Sequence, residues 1–146
     1  MIIRLCTREE LPLVLAMSDA LVAEGCCNGM VRDTIEYLEK YDIYIAFEGE
    51  TAVGYAYGQA DTAQKSRGQT QKGERYFDVE EIYVRPEYRS AGYGRALFAA
   101  LEAHARAQGC ESVQLAAVAK DYGRLLHFYV DELGMEFWNA FLTKRL

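Results

Sequence analysis

Apolar side chains recur at two spacings along this chain of 146 residues, and the spacings divide it into elements. Alternation or short apolar runs predict strands at Ile2 to Cys6, Asp42 to Phe47, Thr51 to Ala60, Tyr76 to Val84 and Ser112 to Val118. Met135 to Leu146 supplies further strand material at the end. Helical spacing runs to about Ala23, behind a Thr7/Glu10 pair with capping-box spacing; Pro12 is tolerated only in a first turn, which allows the true start to lie a few residues later. A second helix is predicted around Val31 to Lys40, with Ile35 and Leu38 on one face. A third covers Gly94 to Gln108, where Leu97, Leu101 and His104 share a face and Gly109 closes the end. Arg124 to Leu133 is the fourth, ending at Gly134. Asp61 to Glu74 is polar and reads as a long loop, mobile or functional. No repeat, linker or low-complexity tract interrupts the order βααβββαβαβ, which is that of a single mixed α/β domain over residues 1–146.

Composition narrows the function classes. There are 16 basic and 22 acidic side chains, a net charge of −6, and no basic stripe, which speaks against nucleic acid and for a cationic partner. A hydrophobic fraction of 51% argues against disorder. No apolar run approaches the ~20 residues of a membrane span, and no basic stretch with a following apolar run opens the chain as a secretion signal. Cys6, Cys26, Cys27 and Cys110 form no C-x-x-C pair, and only His104 and His127 could join them, so no metal site is expected. Four reduced thiols point to a cytoplasmic protein.

The stretch that carries chemistry runs from Val84 to Arg95, at a predicted strand-to-helix junction. Gly92 and Gly94 let backbone N–H groups approach an anion, and the helix behind them adds its positive end. Arg89 and Arg95 are placed to add charge-assisted bonds to a phosphate. A dinucleotide fingerprint is not met, because Leu97 stands at the third glycine position, and no G-K-[ST] follows for a P-loop.

The run Arg89-x-x-Gly92-x-Gly94 resembles the acetyl-CoA signature of the GNAT N-acetyltransferases, and Phe128-Tyr129-x-x-x-Leu133-Gly134-Met135 resembles an element on that family's last helix. The resemblance covers nearly the whole chain. It implies the GNAT fold, an α/β architecture whose mixed, mostly antiparallel sheet has six to seven strands, about four helices and a splayed central strand pair. The splayed strands are 76–84 and 112–118. Pantetheine would insert between them along Ile82, Tyr83 and Val84, and the pyrophosphate would rest on the amides of Arg89, Ser90, Ala91, Gly92, Tyr93, Gly94 and Arg95. Two departures stand out: Tyr122 where the family often has Asn, and Met135 where it has Phe.

Acetyl transfer to an amine whose pKa is about 10 needs a base at neutral pH, and the departing thiolate needs a proton. Strict alternation along Phe77 to Val84 places Asp78, Glu80, Ile82 and Val84 on one face, with Glu81 and Tyr83 on the other. Glu80 matches the base of the family's polyamine acetyltransferases. Asp78 matches the position used by histone-type and some aminoglycoside-type members. Glu81 reads as solvated or salt-bridged, and His127 is given no role. Tyr129 matches the family's general acid, a phenol that is neutral at pH 7. Glu24, Asp33 and Glu36 flank the helical break above this strand and would make the cleft negative. The expected activity is acetyl-CoA-dependent N-acetylation of a small cationic amine, aminoglycoside- or polyamine-like. A protein or peptide amine, or an acyl-CoA-sensing module without turnover, is the alternative. No metal, nucleic acid or membrane partner is expected, and a homodimer is left open.

Overall fold

The computed structural model describes residues 1–146. Its elements are β1 (Ile2–Leu5), α1 (Leu11–Glu24), α2 (Ile35–Leu38), β2 (Asp42–Glu48), β3 (Thr51–Thr62), β4 (Arg75–Val84), α3 (Tyr93–Ala107), β5 (Ser112–Leu115) and α4 (Tyr122–Leu126). The last helix continues as π-helix over His127–Glu132. One sheet holds the strands in the order β1-β2-β3-β4-β5, antiparallel except for the parallel β4–β5 pair.

Two apolar layers form because β2, β3 and β4 are buried on both faces. On one face, Val14, Met17 and Leu21 of α1 pack with Leu38, Ile45, Tyr55, Tyr57 and Tyr83. On the other, Leu97, Phe98 and Leu101 of α3 cover Val53, Ala56, Phe77 and Val79. The capping box at Thr7 and Glu10 is present, on a short 3-10 turn that precedes α1, and Pro12 lies in that helix's first turn. Gly25, at φ +61°, closes α1 in the left-handed conformation that favours glycine.

Several sequence expectations are corrected. The sheet has five strands, not six to seven, because Met135–Leu146 forms none. Its Phe137, Phe141 and Leu142 are exposed, and β5 ends at Leu115 rather than Val118, which leaves a four-residue edge to pair with. The second helix is confined to Ile35–Leu38, started by Thr34, whose Oγ1 accepts from the Tyr37 amide at 3.2 Å. Residues 61–74 are not an open loop. Strand β3 runs on to Thr62, and the segment up to β4 is closed by hydrogen bonds from Ala63 N to Glu74 O (2.9 Å) and from Thr70 N to Arg67 O (3.0 Å). Thr70 is buried, with its hydroxyl 2.6 Å from that of Ser112.

Candidate active site

Strand β4 outlasts its parallel neighbour. The β4–β5 ladder ends at the Val79/Leu115 pair, while β4 goes on to Val84 beside β3 alone. The two strands therefore part, and a narrow cleft of about 100 Å³ lies between them, lined by Val79, Glu80, Ile82, Leu115, Leu125 and Tyr129 among others. The splay inferred from resemblance is present. A larger cavity of about 360 Å³ lies at the β1–α1 corner by Cys6, Leu11 and Tyr41, remote from both motifs.

The face assignment made from strict alternation is corrected by a β-bulge. Tyr57 faces Glu81 across the ladder, whereas the next residue, Gly58, faces Val79, so Glu80 is an extra residue. A Cβ at Gly58 would overlap the Asp78 carbonyl oxygen, which is why glycine stands opposite the bulge. Phe77 and Val79 pack toward α3, and after the bulge so do Ile82 and Val84. Tyr83 turns to α1, and so does Glu81, which accepts a hydrogen bond from the hydroxyl of the buried Tyr55. Glu80 and Ile82 therefore do not share the regular register on which their spacing was reckoned.

The acidic groups differ sharply. Glu80 is exposed at the cleft, without a hydrogen-bond partner in the protein, and burial of its inner part and then Asp78 raise its pKa. Asp78 is half-buried and also raised by burial, against a hydrogen bond from Gln114 on β5. Glu81 is pushed up to about 7, chiefly by burial, with the charges of Asp33 and Glu80 adding and the Tyr55 hydroxyl opposing. Asp33 accepts from Ser18 Oγ (2.8 Å) and Tyr57 Oη (3.3 Å). Glu24 is no free charge in the cleft: Arg89 binds both of its carboxylate oxygens at 2.8 Å and Tyr83 donates to it at 2.9 Å. Glu36 is exposed on α2.

Tyr129 sits on the π-helical stretch, a geometry frequent at functional sites. Its ring packs on Phe98 and Phe128, its hydroxyl has no partner in the protein, and burial pushes its pKa up to about 12. His127 faces outward and pairs with Asp131 at 2.7 Å.

At the far end of β4 the anion loop has a conformation only partly foreseen. Ser90 (φ +63°) and Gly92 (φ +87°) both occupy the left-handed region, and the loop turns directly into α3. No backbone or side-chain acceptor in the protein meets the N–H groups of residues 90–95. Six successive donors at a helix start form a cradle for an anion, which fits a pyrophosphate. Gly94 serves a second purpose, since a Cβ there would lie 3.3 Å from the Phe128 ring; the two motifs touch. The arginine side chains turn elsewhere. Arg89 Nε donates to Val84 O (2.9 Å) as its guanidinium holds Glu24, and Arg95 binds the carbonyl (2.9 Å) and carboxylate (3.0 Å) of Glu132. Tyr93 is buried and donates to Glu48, and Tyr83 is buried under α1. Both offer the site their backbone alone.

Sequence reasoning missed Glu81. The signal was available in Gly58, a strand glycine opposite a doubled glutamate, which marks a bulge.

Comparison with known proteins bears on family and fold. The sequence model of the acetyltransferase (GNAT) family matches residues 18–135. No curated protein sequence matches the chain. Among solved structures, an aminoglycoside N-acetyltransferase in complex with CoA superposes with a TM-score of 0.70 at 17% identity, covering 99% of this chain and 98% of that one. A Trypanosoma brucei acetyltransferase gives 0.69 at 20% identity, with 99% of each chain covered. A transcriptional regulator from Bacillus halodurans gives 0.72 at 21%, again with 99% of each. At these identities the likeness is one of fold.

Proposed function

This chain belongs to the GNAT family of acetyltransferases, and from that premise we propose that it moves the acetyl group of acetyl-CoA to a primary amine of a small cationic acceptor, with Glu80 as general base and Tyr129 as general acid. Acetyl-CoA supplies an acetyl thioester; the rest is the work of the chain. The observation that carries the reading is one juxtaposition: the donor cradle at residues 90–95 opens beside a strand cleft whose lining includes both Glu80 and Tyr129.

The cradle amides and the positive end of α3 would hold the pyrophosphate, and the unpaired edge of β4 beyond Val79 would receive the extended pantetheine. Glu80, exposed at the mouth, takes the proton of the incoming ammonium directly or through one water. The amine nitrogen then forms the C–N bond as the C–S bond breaks, the electron pair of that bond leaves on sulfur, and the surplus proton left on nitrogen passes to water, from which Tyr129 is later reprotonated. Tyr129 keeps its proton to about 12 and meets the departing sulfur as a donor. Asp78, half-buried beside Gln114, lies outside the cleft lining but near enough to act on Glu80, and is the second choice for the base or an anchor for the substrate. Glu80 and Glu81 in the cleft lining, with Asp33 near enough to act on Glu81, favour a positively charged acceptor.

The test is release of free thiol from acetyl-CoA across a panel of polyamines, aminoglycosides, neutral amines and amino acids. Turnover with the first two groups well above the others is expected. Turnover confined to an acceptor that carries a carboxylate beside its amine overturns the cationic assignment.

A further inference from the structure

The doubled glutamate of β4 places its second carboxyl where no polar surface calls for one. The bulge at Glu80 turns Glu81 under α1, toward the apolar layer that holds Val14, Met17, Leu21 and the rings of Tyr55, Tyr57 and Tyr83. It is nevertheless part of the cleft lining, beside Glu80 and Ile82. The Tyr55 hydroxyl donates to Glu81 Oε1, while Ser18 Oγ donates to Asp33. A carboxyl held in this way is not a surface charge, and a purely apolar residue would fill the layer at less cost.

Resting on the acetyl-transfer reading above, we propose that Glu81 is a positioning residue whose carboxylate form is required for turnover: its charge, set behind Glu80 in the wall of the cleft, stabilises the positive charge that grows on the attacking nitrogen. Glu81 makes and breaks no bond. The groups that face it are Tyr55 and Tyr57 from β3, Asp33 from the segment ahead of α2, Cys27 from the segment after α1, and Glu80 on its own strand; Tyr129 lines the same cleft from the last helix. Burial and the two neighbouring carboxylates keep its proton on to about pH 7, so the charge appears within the range where an enzyme works. Below that pH the wall is neutral and the nitrogen loses its counter-charge. The hydroxyl of Tyr55 favours the ionised form, and its removal raises the pH at which the charge appears.

The pH dependence of kcat/KM for the best amine of the panel tests this. An acidic limb with its midpoint near 7 is expected in the parent protein; in Glu80→Gln, at lower overall rate, the limb should persist but move to lower pH, because one of the two charges that hold the proton on is gone. Glu81→Gln should lose that limb and run roughly tenfold slower above it, the order of effect expected when one charge is removed from a partly screened cleft wall. Tyr55→Phe should keep the high-pH rate and move the limb upward, a shift that a merely structural role would not produce. An unchanged limb in Glu81→Gln or in Tyr55→Phe overturns the proposal. Carboxyl-carbon NMR of Glu81 in the CoA-loaded protein needs neither acceptor nor variant. A midpoint near 7 is expected, and a midpoint at the ordinary carboxylate value overturns the proposal even if Glu81→Gln does not fold. Absence of transfer to any amine, with that titration intact, would instead overturn the acetyl-transfer reading.

Discussion

At Gly92 a Cβ would meet nothing within 4 Å, yet φ is +87°, so the constraint is on the backbone and not on volume. Gly92→Ala should cost about 1–2 kcal/mol for the left-handed conformation and weaken acetyl-CoA binding as the loop relaxes and its amides diverge. Calorimetry on the folded variant checks this, and an unchanged Kd would remove the cradle from the binding site. The side chains proposed as acid and base separate by what their loss leaves intact. Tyr129→Phe should lower kcat by ~10²-fold or more, with acetyl-CoA affinity nearly unchanged, because it removes a proton donor and little volume. Glu80→Gln should slow the reaction at neutral pH and recover in part at high pH, where the amine sheds its own proton. A flat response there, with the loss appearing in Asp78→Asn, would move the base to Asp78.

Among the elements, β4 decides most. Its strand character, its length and its place before the anion loop were legible in the sequence, because a continuous run from Tyr76 to Val84 ends at Arg85-Pro86. The faces of its side chains were not, since one extra residue at Glu80 inverts the alternation and only Gly58 on the partner strand hints at it. Gly58→Ala should therefore destabilise the fold by about 1–3 kcal/mol, because a Cβ there overlaps the Asp78 carbonyl. It should also lower kcat by re-aiming Glu80 and Glu81, as urea unfolding and initial rates would report. The ordered segment at 61–74 was misread because its tie is a distant one. Local polarity could not reveal that Thr70 is fastened to Ser112, forty-two residues on. The π-helical stretch was equally hidden, because apolar spacing does not distinguish it from a regular last helix.

At the scale of the whole molecule, burial of Glu81 ties stability to pH. The unfolded chain releases this proton near 4.5 and the folded chain keeps it to about 7, so the contribution is complete below pH 4.5 and is lost as pH rises to 7. The difference is at most about 3 kcal/mol. Urea midpoints should fall between pH 5 and 7 in the parent protein and much less in Glu81→Gln, which should be the more stable of the two at pH 8. The net charge of −6 bears on encounter rather than on folding. For a polycationic acceptor, kcat/KM should decline from 0.05 to about 0.3 M salt as the Debye length shortens toward the dimensions of the cleft. The contact between Gly94 and the Phe128 ring has a different reach. It joins the donor loop to the last helix, so the two signature segments are a single unit of inheritance. A chimera that takes its final helix from a relative with a bulkier ring position would have to import the matching loop as well. Recombination between GNAT genes at a crossover between residues 95 and 127 would break a mated pair, while one placed ahead of β4 would carry both halves together.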